Sequence, residues 1–221
     1  MKKAFTLLEL VFVIVIIAII ASIAIPDSRS TKLREAAIQL VSHIRYTQHL
    51  AMVDDKFEMT DNSWFKKRWQ IIFQRSANFT QGMFSYTIFS DDFFNLTAPD
   101  GLPTFTNNEI ALDPIDSSKF LSGGTHSLNS NDNRANIKMN LGLSYGVTNI
   151  TFTGDCTNQN FAFDHFGRPF NAGLNNDTQS YMNGDLIQRS AANSVCDITL
   201  TDGTDNVIIR IEPETGYTRI I

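Results

Sequence analysis

The sequence is poor in the residue patterns that build catalytic and metal sites. Its 221 residues include two cysteines and four histidines, and none of them follows a spacing such as CxxC or HExxH. Cations are also scarce, since 18 Lys and Arg stand against 23 Asp and Glu and the formal net charge is −5. This charge excludes a general attraction to nucleic acid or anionic lipid. We therefore expect no cofactor, no metal site and no enzymatic activity.

One long apolar run stands out. Residues 5–25 are apolar except at Thr6, Glu9 and Ser22. A helix of this length spans about 30 Å, the thickness of the hydrocarbon core of a bilayer. A cleaved secretory signal peptide is the alternative, because small residues precede Pro26. Glu9 argues against that alternative, since a carboxylate at a helix centre costs about 2.5–3.5 kcal/mol to insert and a discarded segment gains nothing from it.

The N-terminus carries a family resemblance. Lys2-Lys3-Ala4 followed by Phe5-Thr6-Leu7-Leu8-Glu9-Leu10 resembles the class III leader of type IV pilins and type II secretion pseudopilins. The resemblance implies that a prepilin peptidase cuts between Ala4 and Phe5 and that the new amine of Phe5 is N-methylated. Ala4 replaces the Gly that this family usually has before the cut, so we expect slower processing.

Cleavage would place a cationic amine four residues before Glu9. Glu9 also lies in the first turns of the predicted helix, where the macrodipole favours an anion. In a packed filament Glu9 can pair with the amine of a neighbouring subunit, and at low dielectric this pair sets the axial stagger between helices. The alternative is a Glu9 that is solvated among lipid headgroups.

Charge at the N-terminus predicts the topology. Lys2 and Lys3 hold the N-terminus in the cytoplasm, so the protein is predicted to be single-pass in the bacterial inner membrane with a periplasmic domain. Cys156 and Cys196 then meet an oxidising compartment, where a disulfide closing a loop of about 40 residues stabilises by roughly 3–4 kcal/mol. Two unpaired buried thiols are the alternative.

The predicted organisation is a leader over 1–4, a transmembrane helix over 5–26, an amphipathic continuation of the helix over 27–55 and a β-rich domain over 56–221. Pro26 should kink the helix rather than end it, because a periodic pattern follows and fails only near Asp54. Its positions are Leu33, Ala37, Leu40, Ile44, Thr47 and Ala51. His43 and His49 are interpreted as surface or rim residues. We predict an α+β fold of pilin type, with the long helix packed on an antiparallel β-sheet or β-sandwich.

The remaining chain reads mainly as short strands. Two β-branched and aromatic runs, over 69–74 and 84–89, predict a hairpin. Residues 91–120 are predicted irregular, and 122–136 are predicted to be a flexible loop. Further strands are predicted over 137–143, 149–153, 161–164, 196–201 and 206–211, with a hairpin turn at Asp202-Gly203 and a positive φ at Gly216.

A second resemblance covers the C-terminal part. Ile150-Thr151-Phe152 and the F-D-x-x-G-R pattern of residues 163–168 are similar to H-type minor pseudopilins. The runs 198–200, 207–211 and 215–217 resemble the closing strands of that group, and fimbrial minor pilins share the pattern. The insertions 91–136 and 171–194 have no recognised counterpart.

Three segments suggest chemistry, and each has a structural alternative. Asp164-His165 suggests an acid–base pair, but neighbours in a strand point to opposite faces, so we interpret a turn. Asp202, Asp205 and Asn206 suggest calcium, yet a closing Glu is lacking and a hairpin turn is favoured. Two tryptophans flank the basic residues Lys66, Lys67 and Arg68. Cations among aromatic rings can contact DNA, but the same pattern also occurs at the start of a strand.

Two functions remain open. The first is a minor pseudopilin, a structural subunit of a type II secretion-like pseudopilus that has prepilin peptidase, other pseudopilins and an inner-membrane assembly platform as partners. Secreted cargo is a further expected partner. The second is a minor pilin of a DNA-uptake or type IV pilus system that contacts DNA.

Overall fold

The computed structural model describes residues 6–24, 28–92, 99–105, 108–156, 159–171, 173–174, 178–180 and 195–221, with the backbone alone for residues 22–24 and 28–30. Two helices come first, α1 over Leu7–Ala24 and α2 over Ser28–Val53, and two antiparallel sheets follow. This architecture confirms the predicted α+β fold.

The first helix keeps its apolar side chains exposed. The large apolar side chains of α1 between Leu7 and Ile20 are 44–82% exposed. Among the described residues, no helix is both long enough and apolar enough to span a membrane. The predicted leader 1–4 and both ends of the predicted membrane helix 5–26 lie outside the described residues.

One face of α2 forms a large part of the domain core. The six periodic positions from Leu33 to Ala51 are each at most 4% exposed, which confirms the predicted amphipathic pattern. Burying one leucine or isoleucine contributes about 1.5–3 kcal/mol, so this stripe holds the helix on the sheets. α2 ends at Val53, next to Asp54, as predicted. Pro26, the predicted kink, lies outside the described residues.

The described chain contains strands β1 Trp69–Arg75, β2 Phe84–Ser90, β3 Asn149–Gly154, β4 Asn160–Phe163, β5 Pro169–Asn171, β6 Cys196–Thr201, β7 Asn206–Ile211 and β8 Thr218–Ile220. One sheet has the order β2-β1-β4-β5 and the other the order β3-β6-β7-β8. The predicted β1–β2 and β6–β7 hairpins are confirmed. A single buried cluster joins α2 to both sheets, with Ile71 and Tyr86 from the first and Ile198 and Ile209 from the second.

The prediction of a strand over 137–143 is wrong. Two short helical pieces occupy this region, a 3-10 turn over Ile137–Met139 and α3 over Leu141–Tyr145. The side chains of Asn136 and Asn140 each accept a hydrogen bond from a main-chain N–H two or three residues later. These caps satisfy N–H groups at the start of each turn, and they outweigh the weak β propensity of a short apolar run.

The prediction of a flexible loop over 122–136 is also wrong. Its first four residues are buried, and so is Leu128. The segment lies along the outer edge of β2, where Gly123 N donates to Tyr86 O at 3.1 Å. An open edge strand exposes a row of N–H and C=O groups that can pair with another chain. The described part of the insertion 91–136 therefore closes one edge of the first sheet.

Candidate assembly site

Thr6 and Glu9 form a capping box at the start of α1. The N–H and Oγ1 of Thr6 donate to Glu9 Oε2 at 3.0 and 2.9 Å, and Glu9 N donates to Thr6 Oγ1 at 3.3 Å. The arrangement satisfies N–H groups that a helix start leaves without partners. The T-x-x-E spacing is the sequence signal for this cap. The sequence-based prediction for Glu9 includes only an amine partner and does not include the cap.

Glu9 is the one charged residue of α1. A carboxylate offers about four acceptor positions, so the cap leaves capacity for a cation from a second molecule. Ala4 and Phe5, between which cleavage is predicted, lie outside the described residues. The amine predicted to pair with Glu9 therefore stays a prediction.

The F-D-x-x-G-R segment is a tight turn built around Asp164. Its buried carboxylate accepts the N–H groups of Phe166 and Arg168 at 3.0 and 2.8 Å and the Arg168 guanidinium at 2.7 Å. His165 instead packs its ring against Phe166, with centroids 3.9 Å apart. The turn interpretation of Asp164-His165 is confirmed, because the turn itself uses the carboxylate.

Gln48 of α2 ties this turn to the turn before β8. Its Nε2 donates to the carbonyl oxygens of Gly167 and Thr215, both at 2.8 Å. A Cβ at Gly216 would lie 2.6 Å from the same Nε2, so the close approach requires glycine there. Gly216 has φ +65°, which confirms the predicted positive φ. A single side chain of α2 thus sets the register between turns of both sheets.

A polar network lies between α2 and the domain. Gln39 Nε2 donates to Tyr86 Oη at 2.9 Å, Tyr145 Oη donates to Gln39 Oε1 at 2.6 Å, and His43 Nδ1 lies 2.7 Å from Tyr86 Oη. Because Gln39 donates to the Tyr86 oxygen, the Tyr86 hydroxyl is left to donate to His43, which favours a neutral imidazole protonated at Nε2. His49 is exposed, whereas His43 belongs to this network. His43 lies four residues after Gln39, beside the apolar stripe of α2. This i, i+4 spacing is the sequence signal that places the two side chains side by side.

Acid is expected to weaken this network. Burial lowers the pKa of His43 from 6.5 to about 4, and the charge of Asp113 acts in the opposite direction. The unfolded chain therefore takes up a proton first as the pH falls. The stability contributed by neutral His43 is complete above about pH 6.5 and is lost toward pH 4, by about 3 kcal/mol in all.

Thermal unfolding of the full-length protein in detergent at pH 7.5 and pH 5 checks this prediction. His43→Gln removes the titration, so the variant should lose less stability than the wild type between the two pH values. Burial raises the pKa of Asp91 to about 7, which acts in the opposite direction but equally in both proteins. The difference between the two pH dependences therefore isolates His43, and equal pH dependences would contradict the prediction.

Cys156 and Cys196 are joined by a disulfide, as predicted, with Cα atoms 4.9 Å apart. Both residues are buried, and Cys196 begins β6 opposite Gly154 at the end of β3. Gly154 has φ +78°, and a Cβ there would overlap Val195 O. The bridge and this close approach fasten the end of β3 to the start of β6. Most of the insertion 171–194 lies outside the described residues.

In the basic cluster 66–68, Arg68 faces the domain. It is 4% exposed, its guanidinium lies over the rings of Trp64 and Phe170, and Nη1 donates to Ser180 O at 2.9 Å. A phosphate cannot reach a guanidinium in this position without local unfolding. The aromatic neighbours that suggested base stacking instead enclose the cation.

Lys67 is held by acidic neighbours. It pairs with Asp61 at 2.9 Å and with Asp92 at 3.5 Å, and the hydrogen bond that it donates to Asp61 raises the pKa of Lys67. Two of the three cations thus already have partners within the chain, and Arg68 is buried, which favours the interpretation of this segment as the start of β1. DNA contact by Lys66, Lys67 and Arg68 stays a prediction.

Asp202 stabilises the turn of the β6–β7 hairpin. Its Oδ1 accepts the N–H groups of Thr204 and Asp205, both at 2.8 Å, and Gly203 takes φ +96°. The predicted hairpin turn at this position is confirmed. In the part of the chain that the structure describes, no group of three or more His, Cys, Asp or Glu side chains is placed to hold a metal ion.

Comparison with known proteins adds one finding, at the N-terminus. Residues 1–25 match the family model of the prokaryotic N-terminal methylation motif. The match is consistent with the type IV pilin and pseudopilin family that the leader resembles. No curated protein and no solved structure matches the chain. Evidence for the family therefore comes from the leader, and the domain is interpreted from its own geometry.

Proposed function

We propose that this chain is a minor pseudopilin, a structural subunit of a type II secretion-like pseudopilus that is assembled from the inner membrane. Prepilin peptidase cuts between Ala4 and Phe5, and the new amine of Phe5 is methylated. The inner-membrane assembly platform then adds the subunit to a filament of other pseudopilins. The β-rich domain contacts partner subunits or secreted cargo.

The observation that carries this proposal is the methylation motif at residues 1–25, joined to a helix whose apolar side chains are exposed on all sides. An apolar surface of this kind needs an apolar surrounding. A pilin-like subunit has two such surroundings, the lipid bilayer before assembly and the helices of neighbouring subunits after it. The motif supports processing by prepilin peptidase and assembly with other pilins.

Glu9 is the residue proposed to direct assembly. Its carboxylate is held by Thr6, and none of the residues that the structure describes gives it a cationic partner. Among packed apolar helices such a charge is unfavourable unless it is paired. The amine of Phe5 on a neighbouring subunit is the cation that processing creates. Pairing is therefore strongest at one axial stagger.

The proposed topology places Lys2 and Lys3 in the cytoplasm and the domain 56–221 in the periplasm. The disulfide between Cys156 and Cys196 supports this side of the membrane, because such bridges persist in oxidising compartments. The buried positions of both cysteines agree with a structural bridge.

The experiment that tests this function separates the charge of Glu9 from its role in the cap. Glu9→Gln keeps an acceptor for Thr6 and removes the charge, so incorporation into sheared filaments should fall at least about tenfold, equivalent to about 1.4 kcal/mol. Thr6→Val is the matched control, because it removes the hydroxyl of the cap and leaves the charge of Glu9. It should assemble nearly as well as the wild type.

Intact-mass measurement accompanies the assembly assay. All three proteins should lack residues 1–4 and carry a methyl group when prepilin peptidase is present. A Glu9→Gln variant that enters filaments at wild-type levels would show that the charge does not direct assembly. Retention of the leader in the wild type, with or without the peptidase, would remove the basis of the proposed function.

A further inference from the structure

We propose that an exposed apolar patch at the C-terminal end of α2 docks on a basic and apolar surface of a different pilin subunit. The members of this distal patch are Met52, Val53, Phe57, Met59 and Phe166. The inference rests on the proposed function, because that function supplies the neighbouring subunit. It adds which surface of the domain makes the contact and which chemistry the neighbour presents.

The turn over residues 164–168 packs against the end of α2. A Cβ at Gly167 would lie 3.1 Å from Met52 Sδ, so the main chain of the turn is in close contact with the Met52 side chain. Phe166, the residue before Gly167, is 67% exposed. The turn therefore adds its own apolar side chain beside those at the end of the helix.

The loop over residues 54–61 lies beside the same turn. The ring of Phe57 is held edge-on to Trp64, with centroids 5.2 Å apart. Trp64 lines a small cavity together with Ala51 of α2 and His165 of the turn. The helix end, the loop and the turn are thus neighbours, and their exposed apolar side chains form one surface.

The distal patch has the composition of an interface core. Its five side chains are 53–83% exposed, and four of them are methionine or phenylalanine. Methionine and aromatic residues are enriched at protein interfaces, and methionine adapts its shape to the partner surface. Large apolar side chains that are exposed together mark an interaction site, whereas single ones are normal on any surface.

Three exposed carboxylates surround the patch and form no ion pair within the described part of the chain. They belong to Asp55, Glu58 and Glu214. Glu214 lies in the turn before β8, which Gln48 holds beside Gly167. Lys56, the one cation of the loop 54–61, already pairs with two aspartates. The C-terminal end of α2 adds a partial negative charge, so the rim of the patch is acidic.

The acidic rim selects the occupant. Anionic lipid headgroups would repel it, and so would the same rim of a second copy of this chain. A subunit that presents cations around an apolar centre matches both the rim and the patch.

Position along α2 favours a subunit that is already in the filament. Met52 lies 24 residues after Ser28, which is about 36 Å along the helix at about 1.5 Å per residue. The patch is therefore at the end of α2 remote from α1. In a filament that grows from the inner membrane, this end faces subunits that entered earlier. For a minor subunit these are other pilins.

Site-specific photo-crosslinking in cells tests the contact. Met59→p-benzoylphenylalanine in the full-length chain should give an adduct with a different chain that peptide mass spectrometry identifies as a pilin with its own methylation motif. Ile115→p-benzoylphenylalanine is the matched control, since Ile115 is 96% exposed and lies outside the patch. The control should give at least fivefold less of this adduct.

Charge is tested in the Met59→p-benzoylphenylalanine background. Glu58→Lys should lower the adduct yield at least fivefold, because it places a cation against a basic partner surface. Asp116→Lys is the matched control, since Asp116 is exposed and, like Glu58, accepts a hydrogen bond from the hydroxyl two residues later. It should keep the yield within twofold of the parent.

Phe166→Ser in the same background tests whether the three segments act as one surface. The yield from position 59 should again fall at least fivefold, although Phe166 lies on a different segment. The unfolding midpoints of this variant and of Glu58→Lys should match the parent, because both replaced side chains are exposed.

Two groups of results overturn the docking. One is an adduct with a second copy, with lipid or with a secreted protein in place of a different pilin. The other is a yield that equals the Ile115 control or is unchanged by both Glu58→Lys and Phe166→Ser. The proposed function stands in each case if the wild-type chain is found in filaments. A wild-type chain that is absent from filaments overturns both the proposed function and the docking.

Discussion

Gly123→Ala is expected to lower the free energy of unfolding by about 3 kcal/mol or more, the upper range for overpacking a close-packed site. A Cβ at this position would overlap main-chain atoms of Met139 and Asn140, with Met139 O at 2.5 Å. Main-chain atoms cannot move aside as a flexible side chain can. The methyl group would therefore separate the 122–136 segment from the residues before α3, and Gly123 N would lose its bond to Tyr86 O.

Chemical denaturation of the full-length protein measures this effect. Gly82→Asn is the matched control, because a Cβ at Gly82 meets no atom within 4 Å and asparagine tolerates its φ of +73°. The control should change the free energy of unfolding by less than about 1 kcal/mol, as surface substitutions usually do. If Gly123→Ala is no more destabilising than the control, the 122–136 segment does not pack as described here.

Removal of the disulfide is expected to destabilise the domain by about 3–4 kcal/mol, the chain-entropy value for a loop of this length. The bridge spans a sequence separation of 40 residues and joins two buried positions. Cys156→Ala with Cys196→Ala is preferred to serine, because a buried hydroxyl without a partner adds its own penalty. The difference between the variant and the wild type then reports the cross-link and the small loss of sulfur packing.

Denaturation midpoints with and without a reductant check the disulfide prediction. The reductant should shift the wild type toward the double-alanine variant and leave the variant unchanged. Thiol labelling of denatured, unreduced wild-type protein should find no free cysteine. Full labelling of both residues, or a wild type that is insensitive to the reductant, would contradict a structural bridge.

Short-range patterns account for the parts of the fold that the sequence predicts correctly. Helix α2 returns the same face to the core every three or four residues, so Leu40 and Ile44 can be recognised as buried without a structure. The β1–β2 and β6–β7 hairpins follow from β-branched runs joined by turn residues. The leader motif is equally local, because a peptidase reads contiguous residues.

Contacts between distant segments account for the errors. Residues 122–136 look like a solvated loop because their composition is polar, yet the hydroxyls of Thr87 and Ser122 bond each other at 2.8 Å in a buried contact. The sequence shows donors and acceptors but not the unpaired edge of β2 that they meet. Similarly, the sequence predicts Lys67 and Arg68 as free cations. In the fold, Asp92 pairs with Lys67 and the ring of Phe170 lies against Arg68.

Residue type and spacing along the chain are enough to predict the leader motif, the apolar helix with Glu9, the buried face of α2, the two hairpins and the cysteine pair. The network around His43 and the contact of Gln48 with two turns follow only from the tertiary structure. Each of these joins residues that are far apart in sequence, such as Gln48 and Thr215. Such a contact depends on how complete elements pack, and packing is set by the sum of many weak interactions rather than by any local pattern.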